Sequence, residues 1–494
     1  MQQKNELPEG WAVVTVNDIS NDIKYGYTAS ADKEPVGPHL LRITDIQEGK
    51  VDWESVPFCK IAENQVSKYK LRPTDIVFAR TGATTGKSYI ITSCPKSVFA
   101  SYLIRLRPNE SINPKFLSLF FNTADYWSQI SQNVSGIAQP NCNAAKLKEL
   151  ILPLPPLLEQ HRIVAAIETL FARLDMTNER LEKVPKILKS FKQTVLISAF
   201  DGRLTKDWRE QQTYLPDVQD LIEQIRWERE EASKVSGKKM KLITPLTKDE
   251  QKDLMALPDG WKWVKIGQVS KVGTGVTPLK KRREFYEDGT IPWVTSGALN
   301  DFYVKSASDY VTDIALKETN LKIFPKHTLL VALYGEGKTR GKCSELLIQA
   351  TTNQAIAAIV QEGTEEEIRQ YLKRFLMKNY DDIRMKSLGG VQPNLNLGII
   401  ENTAFPICSL PEQQEIVRRV DALFAFADSV ETKVAAARER TEQLRQSILA
   451  KAFLGELVPT EAELARQEGR DYESAEMLLE RVKAEGASSK KKKK

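Results

Sequence analysis

The chain has 494 residues, 41% hydrophobic and 28% charged, which is ordinary for a soluble fold and long enough for more than one domain. No apolar run approaches the ~20 residues that span a bilayer, and the opening Met-Gln-Gln-Lys-Asn-Glu lacks the apolar core of a signal peptide, so a cytoplasmic protein without a membrane anchor is expected. The formal charge is +6, but Lys490–Lys494 supply five of those charges, so any case for nucleic acid must rest on local patches.

Five scattered cysteines (Cys59, Cys94, Cys142, Cys343, Cys408) form no Cys-x-x-Cys pair, and the three histidines (His39, His161, His327) have no metal-ligand spacing. Reduced thiols and no bound metal are expected.

In chain order, Leu7-Pro8-Glu9-Gly10-Trp11 opens the first half, and Leu257-Pro258-Asp259-Gly260-Trp261 repeats it. Gly26-Tyr27-Thr28 is echoed by Gly275-Val276-Thr277. His39–Ile46 and Thr290–Gly297 each read as a short strand running into a turn. Strand-like Asp75–Ala79 answers Thr328–Leu333, and the glycine-rich loop Arg80–Lys87 answers Tyr334–Lys342. A helix-like stretch near Phe116–Phe121 answers Ile368–Met377, and Gln139-Pro140-Asn141 returns as Gln392-Pro393-Asn394, read as the hinge before each long helix.

Those helices, Glu159–Phe200 and Glu412–Phe453, carry heptad seams at a constant offset of 253 residues. Ile163, Leu170, Leu174 and Leu181 belong to the first seam, and Ile416, Leu423, Val430 and Leu444 to the second, with one threonine in each (Thr177, Thr441). Alternating steps of three and four place these residues on one stripe, and two stripes in one chain most simply bury each other. A straight helix of this length would be roughly 60 Å long. Gly202 and Gly455 stand where left-handed C-caps would end the helices, and Ser409 with Glu412 has capping-box spacing. Pro185 should kink or break the first helix. A shared offset over this distance indicates duplication.

The expected fold is therefore α+β, each half an α/β globule followed by a long helix, with the two long helices packed lengthwise on each other. The expected boundaries are a first globule at 1–152, a first spacer helix at 153–204, a charged helical linker at 205–256, a second globule at 257–407, a second spacer helix at 408–457, and a helical tail at 458–494 ending in a disordered lysine run.

The glycine-rich loops miss a nucleotide-binding P-loop by one residue, because Gly82 and Gly86, like Gly337 and Gly341, are separated by three residues and not four. Lys87, Lys338, Arg340 and Lys342 on such turns either approach phosphate or are solvated hairpin lysines. Lys280-Lys281-Arg282-Arg283 is either a solvated loop or a phosphate contact. Arg42, at a strand end beside Thr44, is either a guanine reader or half of a surface ion pair. Trp11 and Trp261 read as core anchors. No nucleophile elbow, metalloprotease helix or dinucleotide fingerprint is present, so the chain reads as non-catalytic.

The paired Leu-Pro-x-Gly-Trp openings, Gln-Pro-Asn before each helix, Pro-Leu-Pro-Pro-Leu-Leu-Glu-Gln and Ser-Leu-Pro-Glu-Gln-Gln-Glu-Ile at the helix starts, and Ala-Phe-x-Gly-x-Leu at their ends resemble the specificity subunit of type I restriction–modification enzymes. The resemblance covers nearly the whole chain. It implies two pseudo-twofold-related α/β target recognition domains, each reading half of a bipartite double-stranded DNA target, held apart by a spacer formed as a long antiparallel coiled coil of the two helices. It further implies docking of two methyltransferase subunits, which would methylate adenine N6 with S-adenosylmethionine, and of restriction subunits using ATP and Mg2+, with no cofactor on this chain. The family's methyltransferase motif Asn-Pro-Pro-aromatic is absent here, which assigns catalysis to the partner. The candidate DNA contacts are Arg42, Thr44, Arg80, Thr81 and Lys87 in the first globule, and Lys281, Arg282, Thr295, Lys338, Arg340 and Lys342 in the second. The alternative from another class is a coiled-coil assembly adaptor without base readout.

Overall fold

The computed structural model describes residues 7–47, 49–82, 84–131, 142–237, 241–334, 339–361, 366–380 and 395–491. The chain divides into two compact units, Met1–Glu182 with Val434–Lys494, and Lys183–Lys433. The division cuts both long helices, so each unit owns the beginning of one and the end of the other.

The heptad stripes form two helices of 44 residues each, Leu157–Phe200 and Leu410–Phe453. Pro185 lies inside the first and does not end it. A proline removes one donor and crowds the preceding turn. That local loss does not outweigh a cooperative ladder held on both sides. In the first unit, Ile163 and Ile167 from the start of one helix join a core with Leu449, Ala452 and Phe453 from the end of the other. In the second unit, Val195, Leu196, Ala199 and Phe200 join Ile416 and Val420 in the same way. Start meets end in each unit, so the pairing is antiparallel. Asp175 with Arg445 and, in the other unit, Lys192 with Asp428 at 2.6 Å are ion pairs at equivalent steps of the repeat.

Two details of the sequence reading change. Leu444 is 45% exposed and lies off the seam. Its neighbour Arg445 turns inward instead, with its guanidinium 4.7 Å from the Phe171 ring centroid. Glu412 does not close a capping box with Ser409, whose hydroxyl is buried without a hydrogen-bond partner among the described residues. The Glu412 carboxylate is engaged by Trp261 Nε1 at 2.9 Å, Thr205 Oγ1 at 2.8 Å and Arg209. The same arrangement recurs in the first unit, where Glu159 accepts from Trp11 Nε1 at 2.9 Å and from the Glu461 amide at 2.8 Å. Both tryptophans are 7% exposed.

The helices end at left-handed glycines, Gly202 at φ +76° and Gly455 at φ +75°. A Cβ at Gly202 would stand 2.3 Å from Pro258 Cγ, and one at Gly455 2.4 Å from Pro8 Cγ. Each Leu-Pro-x-Gly-Trp motif therefore packs on the end of a long helix. Phe453 stacks near Phe116, with centroids 4.9 Å apart, and Phe200 near Tyr371 at 5.0 Å.

Each globule holds an antiparallel sheet of like order. In the first unit, Ser20–Tyr25, Leu103–Pro108, Ile76–Ala79 and Ser88–Ile90 lie side by side. In the second, Lys271–Thr274, Ile356–Val360, Leu329–Ala332 and Cys343–Leu346 do so, with Tyr303–Val304 added in parallel at the edge. The register repeats: Ile76 faces Leu106 and Ala79 faces Leu103, while Leu329 faces Ile359 and Ala332 faces Ile356. A two-stranded pair closes each globule, Ala12–Thr15 with Ile151–Leu154 and Lys262–Lys265 with Ala404–Ile407.

The charged stretches after the long helices are parts of the units. Helix Val218–Ser236 gives Val218 and Ile225 to the second core. Helix Ala475–Lys491 gives Ala475, Leu478 and Val482 to the first.

Candidate nucleic-acid interface

Three segments in each unit converge on one frame. The first is a strand end. His39–Leu41 pairs in parallel with Ser97–Phe99 and runs into the short 3-10 turn Ile43–Asp45. Ile291–Val294 pairs in parallel with Thr351–Thr352 and runs into Ser296–Asn300. Arg42 and Thr295 occupy the cap position of these turns. Arg42 Nη2 donates to Asp45 Oδ1 at 2.6 Å, so its guanidinium is already paired. Thr44 is exposed on the same turn, and its carbonyl accepts from Gln47 Nε2 at 2.8 Å. Thr295 is half-buried and makes no side-chain cap bond.

The second segment is the glycine-rich hairpin. Gly86 N donates to Ala79 O at 2.9 Å, Ala79 N to Lys87 O at 2.9 Å and Lys87 N to Thr84 O at 2.9 Å. In the other unit, Gly341 N donates to Ala332 O at 2.9 Å, Ala332 N to Lys342 O at 3.0 Å and Lys342 N to Thr339 O at 3.0 Å. These are tight hairpins presenting Lys87 and Lys342 at matched positions. Thr81 and Lys87 are exposed. The Arg80 guanidinium lies 5.0 Å from the Tyr25 ring centroid. Lys342 Nζ donates to Asn300 Oδ1 at 3.0 Å, which ties this hairpin to the turn capped by Thr295. Arg340 belongs to the same loop, whereas Lys338 lies outside the described residues.

The third segment joins the other two and was missed in the sequence. Ala100 N donates to Leu41 O at 2.9 Å, and Arg80 N donates to Tyr102 O at 3.0 Å. Likewise Asn353 N donates to Val294 O at 3.1 Å, and Leu333 N to Ala355 O at 2.8 Å. Gly26 and Gly275 make room for this crossing, since a Cβ would fall 2.1 Å from Ala100 O and 1.6 Å from Thr352 O. The signal was present as a small or polar break inside an apolar strand, at the offset of the long helices.

The frame thus gathers Arg42, Thr44, Arg80, Thr81 and Lys87 in one unit, and Thr295, Arg340 and Lys342 in the other. Lys281 and Arg282 lie just before the turn Arg283–Phe285, whose Phe285 shares a core with Trp293 of the strand Ile291–Val294. Arg282 is paired with Glu284 and Glu318, each at 2.7 Å, and lies 4.1 Å from the Phe285 centroid, so its charge is largely neutralised. Lys281 is exposed.

Gln139–Asn141 and Gln392–Asn394 lie outside the described residues. Among the described residues no cluster of three or more His, Cys, Asp or Glu is arranged to hold a metal, and no helix is long and apolar enough to cross a membrane. Burial pushes the Cys142 thiol up to about 11 and the Cys343 thiol to about 12, leaving both protonated and poor nucleophiles.

The family model described as the type I restriction modification DNA specificity domain matches residues 8–186 and again 258–437. The specificity subunit of the type I restriction enzyme StySPI from Salmonella potsdam is 30% identical over 504 aligned residues, covering 98% of this chain and 97% of that protein. The EcoKI specificity subunit from Escherichia coli K12 is 29% identical, with 98% and 97% covered. The fold is shared with the HsdS subunit from Thermoanaerobacter tengcongensis, at a TM-score of 0.57 and 17% identity over 92% of this chain and 99% of that one. With the domain present twice and in frame with the structural repeat, the chain belongs to the type I restriction–modification specificity subunits, the family that carries DNA target recognition.

Proposed function

We propose that each unit reads one half of a bipartite double-stranded DNA target, and that this chain supplies recognition without catalysis. One observation carries the reading. The main-chain hydrogen bonds that join strand end, hairpin and third segment recur in both frames, yet the side chains differ: Arg42 stands where the other has Thr295, Arg80 where it has Leu333, and Tyr102 where it has Ala355. Phosphate contacts need only cations, which both frames retain at Lys87 and Lys342, whereas base contacts need particular donors and acceptors. A conserved frame with divergent outward groups suits two half-sites of different sequence. In this reading two methyltransferase subunits, carrying S-adenosylmethionine, dock on the helical region and methylate adenine N6. Restriction subunits working with ATP and Mg2+ complete the assembly.

The test is a footprint of the chain assembled with its methyltransferase partner on duplexes selected from a random pool. Two protected blocks with an unselected gap are expected. Lys87→Ala or Lys342→Ala should weaken binding to all sequences alike and lower the salt slope by about 1. A single contiguous block, or equal affinity for selected and random duplexes at physiological salt, contradicts the reading.

A further inference from the structure

The joining segments Ala100-Ser101-Tyr102 and Asn353-Gln354-Ala355 have a geometry beyond that of a connector. Their flanks are fully buried: Phe99 and Leu103 are 0% exposed, as are Thr352 and Ile356. Their backbones are fixed from two sides, by the strand end and by the hairpin, and Ser101 N also donates to Tyr27 O at 3.0 Å. From this fixed backbone one side chain per unit faces solvent. Tyr102 is 64% exposed, and Gln354 is exposed. Among the described residues the Tyr102 hydroxyl has no hydrogen-bond partner. A large amphipathic ring on a rigid mount has little entropy left to lose on contact.

Gln354 is held more specifically. Its Oε1 accepts a hydrogen bond from Thr277 Oγ1 at 2.5 Å. Thr277 lies two residues beyond Gly275, whose backbone passes close to Thr352. In this arrangement the carbonyl lies toward Thr277 and the NH2 is left to donate. Bidentate reading of adenine needs the carbonyl and NH2 of one amide side by side on the base edge. An amide whose carbonyl is turned to a neighbour acts as a donor, and its complement is an acceptor edge such as guanine N7 and O6.

We propose that these two breaks are specificity-determining sites, with Tyr102 touching a base edge in one half-site and Gln354, positioned by Thr277, donating to an acceptor-bearing base in the other. The proposal rests on the two-half-site reading above.

The experiment selects duplexes from a random pool with the assembled complex, and compares the wild type with Gln354→Ala, Gln354→Glu, Thr277→Val and Tyr102→Ala. Gln354→Ala should cut discrimination at one base pair by about 5- to 150-fold and leave the other positions unchanged. Gln354→Glu, with acceptors only, should turn that position toward cytosine, whose N4 donates. Thr277→Val frees the amide to rotate, and should broaden the same position to admit adenine. Tyr102→Ala should alter one position in the other half-site. Variants that bind every sequence more weakly, with position-by-position preferences unchanged, would overturn the proposal while leaving the two-block footprint intact. A wild-type pool without two blocks would remove the two-half-site reading, and this proposal with it.

Discussion

In the first unit the central strand Leu103–Pro108 carries Arg105 and Arg107, whereas its counterpart Ile356–Val360 in the second is apolar throughout. Arg105 is 1% exposed, pairs with Asp22 and donates to Lys70 O at 3.0 Å, while Arg107 pairs with Asp75 at 2.7 Å. The second unit buries its charge on another strand of the sheet, Cys343–Leu346: Glu345 is 2% exposed, with Lys373 at 3.0 Å and His327 at 2.9 Å. Register, strand order and the crossing of the two outer segments are the same. The comparison teaches that backbone pairing and a few glycines hold this fold, which leaves interior polar chemistry free to differ between repeats.

The largest expected effect breaks that comparison at Asp22. Burial lowers the Arg105 pKa, and so does neighbouring Arg107, while Asp75 and Asp22 act against them. Asp22→Ala leaves a buried guanidinium short of its carboxylate, at a cost of about 3–5 kcal/mol. Hydrogen exchange should accelerate in Leu103–Pro108 and Ile76–Ala79 and stay unchanged in Leu329–Ala332. Equal acceleration in both units would contradict separate cores.

A smaller effect sharpens what the units share. Gly455→Ala and Gly202→Ala each force a Cβ onto a proline from a left-handed conformation. Each should cost about 1–3 kcal/mol, read as a fall in the urea midpoint. Similar values for the two are expected, because the two contacts are geometric copies. A neutral result at either would break the equivalence.

The smallest effect concerns pH. Burial pushes the Glu159 carboxyl above the usual glutamate range, although the amide of Glu461 and the indole of Trp11 pull it down. A folded-state value above the unfolded one gives stability that is complete below about pH 4.3, the ordinary glutamate value, and is lost as pH rises through the raised value. Glu159→Gln should therefore flatten the stability profile of the first unit across that window. Urea midpoints measured at stepped pH check this, and parallel profiles would contradict it.

Much of this architecture was legible because it is local. The helices, their left-handed glycine ends and the hairpins follow from periodicity and spacing within a few turns. What was not legible depends on distant partners. Nothing near Glu412 shows that its carboxylate meets Trp261, 151 positions away in sequence, so three-residue spacing to Ser409 suggested a capping box. Leu444 fits the heptad count, but Arg445 takes the inward position by lying on Phe171. The lysine run Lys280–Lys281 drew attention as a dense charge, yet Arg282 beside it is held by Glu284 and Glu318. Tyr102 and Gln354 drew none, because a polar break in a strand looks like a loop until its backbone partners are known.

The most direct measurement is an exchange of the first globule, residues 1–152, for that of another specificity subunit, followed by sequencing of methylated adenines in host DNA. The account predicts that one half of the methylated motif changes while the other half and the gap between them persist. A motif altered in both halves, or in neither, would contradict it.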